Sequence, residues 1–79
     1  MRLLNEDTDC ACNRISLFLT NVEAQELRTI LDDLLEAEPH RHEHLSSADY
    51  KKELTICLYD DNSLDHFDER ARRLIVQDE

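Results

Sequence analysis

The stretch at residues 52–60, Lys-Glu-Leu-Thr-Ile-Cys-Leu-Tyr-Asp, constrains the fold more than any other part of the chain. In an extended strand, alternate side chains point to opposite faces. One face would carry Leu54, Ile56 and Leu58, and the other Thr55, Cys57 and Tyr59. Both sets are β-favouring or readily buried, so neither face has to meet water. The pattern predicts the central strand of a sheet.

A long amphipathic helix is predicted to begin after Thr20. Thr20 and Glu23 have the spacing of a capping box, in which each side chain accepts a hydrogen bond from the other residue's backbone N–H. Apolar residues then recur at three- and four-residue intervals, at Leu27, Ile30, Leu31, Leu34 and Leu35. Because Pro39 disfavours helical geometry at the residue before it, the helix is predicted to stop just before Pro39.

Three further elements are predicted with simpler patterns. Residues 14–20 alternate as a strand, with Phe18 on the face opposite to the apolar row. Residues 40–46 are polar and suit an edge strand that forms a hairpin with the strand at 52–60. A second helix is predicted to start at Asn62 or Ser63, with acidic residues in or near its first turn.

These elements predict an α+β fold with the order β-α-β-β-α. If the long helix forms a right-handed crossover, the sheet is mixed and three-stranded, with strand order first-third-second and both helices on one face. Residues 1–13 are expected to be a loose segment, residues 14–76 a single domain and residues 77–79 a frayed tail. The other sheet face would expose Phe18, Cys57 and Tyr59, which favours a homodimer.

The composition of the chain disfavours or excludes several classes of function. The 79 residues carry a net charge of −10, so direct binding to nucleic acid or to anionic membranes is disfavoured, whereas a basic protein or a cation is favoured. The chain has no glycine, which excludes phosphate-binding glycine loops and leaves Asn or Asp to fill positions with positive φ. No apolar run is long enough to span a bilayer, and the three cysteines, an odd number, suit a reducing compartment. A cytoplasmic location is expected.

A possible metal site is suggested by two runs of alternating residues. These are Cys10-x-Cys12 and His40-x-His42-x-His44, whose side chains would converge in extended backbone. Thiolates and imidazoles are suitable ligands for Zn, Cu or Ni. The alternative is that the cysteines are ordinary small residues and the histidines are edge residues that offset the negative end of the helix.

Other chemistry has simpler explanations. Four oxygen-bearing residues resemble part of a calcium-binding loop: Asp60, Asp61, Asn62 and Asp65. The segment lacks the glycine and the bidentate Glu of such a loop. Cys57 lies within an apolar strand, where an inert thiol is expected, and acidic neighbours disfavour activation of the other cysteines. The chain is therefore expected not to be an enzyme.

The acidic face of the long helix is the candidate surface for a partner. It comprises Glu23, Glu26, Asp33 and Glu36. Such carboxylates often only keep a protein soluble, but they can also bind a basic protein. The sequence therefore predicts a non-enzymatic protein-interaction or regulatory domain, with transition-metal binding as the alternative.

Overall fold

The structure is a computed structural model that describes residues 1–37 and 42–79. Its elements, in chain order, are β1 (Leu3–Asn5), β2 (Cys10–Cys12), α1 (Asn21–Glu36), β3 (His42–Ser46), β4 (Glu53–Cys57) and α2 (Glu69–Gln77). They fall into two compact units. The terminal unit contains Met1–Leu17 and Asp60–Glu79, and the central unit contains Phe18–Tyr59.

The start of α1 is the capping box predicted from the sequence. Thr20 Oγ1 accepts a hydrogen bond from the Glu23 N–H at 3.2 Å, and Glu23 Oε1 accepts one from the Thr20 N–H at 3.0 Å. The helix ends at Glu36, and the N–H of the C-cap residue Ala37 donates to the Asp33 carbonyl at 2.9 Å. The prediction of this helix is confirmed.

The β3–β4 hairpin is confirmed as well. The two strands are antiparallel, with Leu45 opposite Leu54. Their connection is organised by Asp49, whose Oδ1 accepts from the Ser47 hydroxyl at 2.6 Å and from the Lys51 N–H at 3.0 Å. Residues 40 and 41, which the predicted strand also included, lie outside the described residues.

Positive φ angles occur at three non-glycine residues. Asp9 and Asp78 are of the type expected for a chain without glycine. The third is Tyr50, with φ of 60°, which the sequence did not predict. A bulky residue in the left-handed region costs about 1–2 kcal/mol, so the hairpin connection holds Tyr50 in a strained conformation.

The core of the central unit lies between α1 and β3. Leu34 of α1 and Leu45 of β3 are buried, and α1 packs on this strand. Leu27 and Ile30 of α1 are half-buried. Complete burial of one such side chain is worth about 1.5–3 kcal/mol, so a few leucines provide most of the apolar stabilisation of this unit.

The terminal unit combines a short hairpin with α2. β1 and β2 are antiparallel, with Leu3 opposite Cys12. Asp68 caps α2 by accepting a hydrogen bond from the Ala71 N–H at 2.8 Å, and Ile75 of this helix is buried.

Two arginines connect distant parts of the terminal unit. Arg2 Nε donates to the Ile75 carbonyl at 3.0 Å. Arg70 Nε donates to Asp9 Oδ1 at 2.6 Å, and its Nη2 donates to the Asp9 carbonyl at 3.1 Å. These contacts link the first residues of the chain and the turn between β1 and β2 to the last helix.

The predicted three-stranded sheet is wrong. The described residues form two separate two-stranded antiparallel sheets, β1–β2 and β3–β4. Residues 14–20 form no strand, and Phe18 in this segment is 91% exposed. Alternation defines which side chains share a face but not which strand pairs with them, and each strand here pairs with its nearest neighbour in sequence. The expected central strand is therefore one member of a hairpin.

Two local predictions also need correction. Residues 1–13 contain the β1–β2 hairpin, where a loose segment was expected. α2 begins at Glu69 rather than near residue 63, because Asp68 and not Asn62 or Ser63 provides the N-cap oxygen. The boundaries of a single domain stay a prediction. Among the described residues, no helix is long and apolar enough to cross a membrane.

Candidate protein-binding surface

A groove runs beside α1 where this helix packs on β3. Its volume is about 460 Å³, and its lining comprises Val22, Gln25, Glu26, Thr29 and Ile30 from α1 with His44 and Leu45 from β3. Val22 is 66% exposed, Ile30 is half-buried and Leu45 is buried. The groove therefore has an apolar floor and polar side chains along its length. We call it the acidic groove, because the Glu26 carboxylate lines its helical side.

Helical spacing places a second carboxylate on the side of α1 that carries the groove. Glu26 lines it, and Asp33 follows seven residues later, which is close to two turns and therefore on the same side of α1. Both side chains are exposed, and within residues 1–37 and 42–79 neither has an ion pair. A basic partner could approach both without first breaking an internal contact.

The charged residues of α1 are mainly acidic. The helix contains five carboxylates and one arginine, and it has no basic residue in its last turn. Asp32, Asp33 and Glu36 lie towards the C-terminus, where the backbone dipole is already negative. Each such carboxylate costs about 0.3–1 kcal/mol when exposed. A cation placed here would therefore be stabilised by both the side chains and the dipole.

The four predicted partner-binding residues do not have equal roles. Glu23 is half-buried, and its carboxylate accepts the Thr20 N–H in the capping box. Glu26 lines the acidic groove, Asp33 is exposed further along the same side of α1, and Glu36 is exposed at the end of the helix. Glu23 thus stabilises the helix start, and the other three carboxylates are accessible.

His44 is held in place at the wall of the groove. Its Nδ1 lies 2.8 Å from Thr55 Oγ1 and 3.0 Å from Glu53 Oε1, so a hydrogen on this nitrogen can be donated to either oxygen. The rings of His42 and His44 meet edge to face, with 5.1 Å between their centroids. These contacts restrict the ring of His44 beside the apolar floor.

The residues of the predicted metal site are distributed over both units. Cys10 and Cys12 lie in β2, and the Cys10 thiol donates to the Thr8 carbonyl at 3.3 Å. His42 and His44 lie in β3, whereas His40 is outside the described residues. In the part of the chain that the structure describes, no group of three or more His, Cys, Asp or Glu side chains is arranged to hold a metal ion. The metal site stays a prediction.

The surroundings of Cys57, at the end of β4, disfavour its thiolate form. Partial burial raises its pKa above the ordinary value of 9.0, because desolvation disfavours the thiolate. The residue remains accessible to solvent. A thiol with a raised pKa is mostly protonated near neutral pH and is a weak nucleophile.

Sequence reasoning found the carboxylates but not the groove. The spacing of Glu26 and Asp33 identified one side of α1, whereas the groove also requires His44 and Leu45 from a strand that follows the helix. The 3.6-residue period places side chains on a helix, but it does not reveal which strand packs against them. Comparisons with protein-family models, curated proteins and solved structures found no match to this chain.

Proposed function

We propose that this chain is a non-enzymatic interaction module that binds a basic, arginine-containing segment of a protein partner in the acidic groove. The observation that carries the proposal is the accessible Glu26 carboxylate beside an apolar floor, with a second exposed carboxylate, Asp33, about two turns further along the same side of α1. Arginine suits such a surface because its guanidinium pairs with carboxylates and its alkyl stem covers apolar groups. The exposure of Val22 further supports a partner that contributes an apolar side chain.

Binding of a synthetic peptide tests the proposal directly. The probe is an amphipathic peptide with arginines beside one apolar face, and its control has each arginine replaced by glutamate. Backbone amide NMR signals of Val22, Glu26 and Ile30 are expected to shift with the arginine peptide only. The affinity should fall steeply between low salt and about 1 M, where the Debye length is only ~3 Å.

Paired charge neutralisation provides the control on the protein side. Glu26→Gln with Asp33→Asn should weaken binding of the arginine peptide by about tenfold or more. Glu6→Gln with Asp61→Asn removes the same charge from two exposed positions outside the groove and should leave binding nearly unchanged. Equal loss in both double variants, or signal shifts confined to the terminal unit, would show that the acidic groove is not the binding site.

A further inference from the structure

A second surface of opposite charge lies on α2. Arg72 and Arg73 are exposed, and Val76 follows them by four and three residues, so it lies between them one turn further along the helix. Val76 is 66% exposed. The three residues line an open cavity of about 740 Å³ together with Asp9, Glu69, Arg70 and Gln77. We call Arg72, Arg73 and Val76 the arginine face.

The two arginines of the arginine face form no ion pair within the described structure. Neighbouring Arg70 is bound to Asp9, whereas neither Arg72 nor Arg73 has an ion pair with any residue in 1–37 or 42–79. α2 also holds three of the nine basic residues of the chain. An exposed apolar side chain flanked by two unpaired guanidinium groups is a surface suited to an acidic, partly apolar partner.

The acidic groove has the matching properties. Its floor contains exposed Val22 and half-buried Ile30, and Glu26 supplies a carboxylate to its lining. Exposed Asp33 lies about two turns further along the same side of α1. Glu26 and Asp33 are about 10.5 Å apart along the helix axis, at 1.5 Å per residue, so two separate arginines could each reach one of them. The chain therefore carries both halves of a complementary contact.

We propose that the arginine face of one copy docks in the acidic groove of a second copy. This inference rests on the proposed function and names the partner as the chain itself. Val76 would cover the apolar floor while Arg72 and Arg73 pair with Glu26 and Asp33. Because each copy has one groove and one arginine face, each copy can contribute either side of this contact.

The net charge predicts an unusual salt dependence. Two copies with a charge of −10 each repel one another at long range when little salt is present. At about 0.15 M salt, the Debye length of ~8 Å screens this repulsion, while side chains in direct contact still attract. Near 1 M salt the direct pairs are also weakened. Self-association should therefore be strongest at intermediate ionic strength, and an apolar interface without charge pairs would instead strengthen steadily with salt.

Sedimentation velocity of the full chain over a range of protein concentrations measures this association. Arg72→Glu with Arg73→Glu should raise the dissociation constant of the dimer by about tenfold or more. Lys51→Glu with Lys52→Glu makes the same change in the other adjacent basic pair and should have a much smaller effect. Far-UV circular dichroism of each variant verifies that its helices are intact.

Charge exchange gives the decisive comparison. A Glu26→Arg, Asp33→Arg variant should also lose self-association, because its groove repels the arginine face. An equimolar mixture of this variant with the Arg72→Glu, Arg73→Glu variant should form a heterodimer, since each contact then joins opposite charges. Recovery in the mixture but in neither variant alone is a result that misfolding cannot produce.

Three results would overturn the inference. A chain that stays monomeric at every concentration and salt level, a dimer unaffected by the arginine substitutions, or a mixture without recovery would each exclude docking of α2 in the groove. If the synthetic arginine peptide still binds the groove in such a case, the partner is a different protein and only self-docking is wrong. If the peptide also fails to bind, the proposed function is wrong as well.

Discussion

The two helices of the chain are stabilised in different ways. α1 has 16 residues and packs an apolar stripe on β3, while most of its charged side chains lie outside that contact. α2 has 9 residues, and polar contacts from Arg2 and Arg70 reinforce its packing in the terminal unit. A helix held by apolar packing can keep its charges for a partner. Of the three arginines of α2, Arg70 is bound to Asp9, whereas Arg72 and Arg73 have no ion pair among the described residues.

The largest expected effect separates a buried leucine from an exposed one on α1. Leu34 is 4% exposed and Leu35 is 74% exposed. Leu34→Ala should lower the free energy of unfolding by about 2–4 kcal/mol, because it removes buried contacts and leaves a cavity. Leu35→Ala makes the same chemical change and should cost less than about 0.5 kcal/mol. Urea unfolding followed by circular dichroism measures both, and equal losses would contradict an apolar core between α1 and β3.

The two N-caps allow the helices to be compared by the same kind of change. Thr20→Ala and Asp68→Ala should each cost about 1 kcal/mol, because each removes a side-chain oxygen that accepts a helix N–H. Amide hydrogen exchange should show the loss of protection in α1 for the first variant and in α2 for the second. Thr29→Ala, within α1, is the control and should be neutral or slightly stabilising. A uniform loss of protection across both helices would contradict two separately stabilised units.

The correct sequence predictions concern interactions over short sequence distances, although two other local features, the β1–β2 hairpin and the N-cap of α2, were missed. The capping box of Thr20 and Glu23 spans three residues, and it was predicted correctly. The β3–β4 hairpin joins neighbouring strands and was also predicted. The three-stranded sheet required residues 14–20 to pair with a strand far along the chain, and alternation alone contains no information about such pairing.

The candidate site also combines features of a single helix, which the sequence predicts, with contacts between distant residues, which it does not. Helical spacing identified the side of α1 that carries Glu26 and Asp33, because both lie on one element. The capping role of Glu23 limits its use by a partner, although the Thr-x-x-Glu spacing itself signals that role. The contact between Arg70 and Asp9 joins residues 61 positions apart, and no local pattern predicts it. Contacts of this kind require the fold.

Removal of Arg70 tests the polar stabilisation of the terminal unit. Arg70→Ala should lower the free energy of unfolding by about 0.5–1 kcal/mol, since it breaks hydrogen bonds to Asp9 but solvent screens this partly exposed pair. Arg73→Ala is the matched control, because Arg73 has no ion pair among the described residues, and it should stay within about 0.5 kcal/mol of the parent. A double-mutant cycle with Asp9→Ala isolates the pair. Coupling near zero would show that charge does not hold α2 in place.

The smallest expected effect is the pH dependence that Asp49 gives to the connection between β3 and β4. The pKa of Asp49 is lowered from its ordinary value of 3.8, first by the hydrogen bond from the Ser47 hydroxyl and then by the Lys51 N–H. A lowered pKa in the folded state means that the carboxylate stabilises the fold at pH values above 3.8, and that this contribution is lost as the pH falls through the folded-state value. An NMR titration of the Asp49 carboxyl group should give a midpoint below 3.8. Ser47→Ala should move that midpoint back towards 3.8, because it removes the largest cause. A midpoint that does not respond to Ser47→Ala would show that the hydroxyl does not stabilise the Asp49 carboxylate in the hairpin.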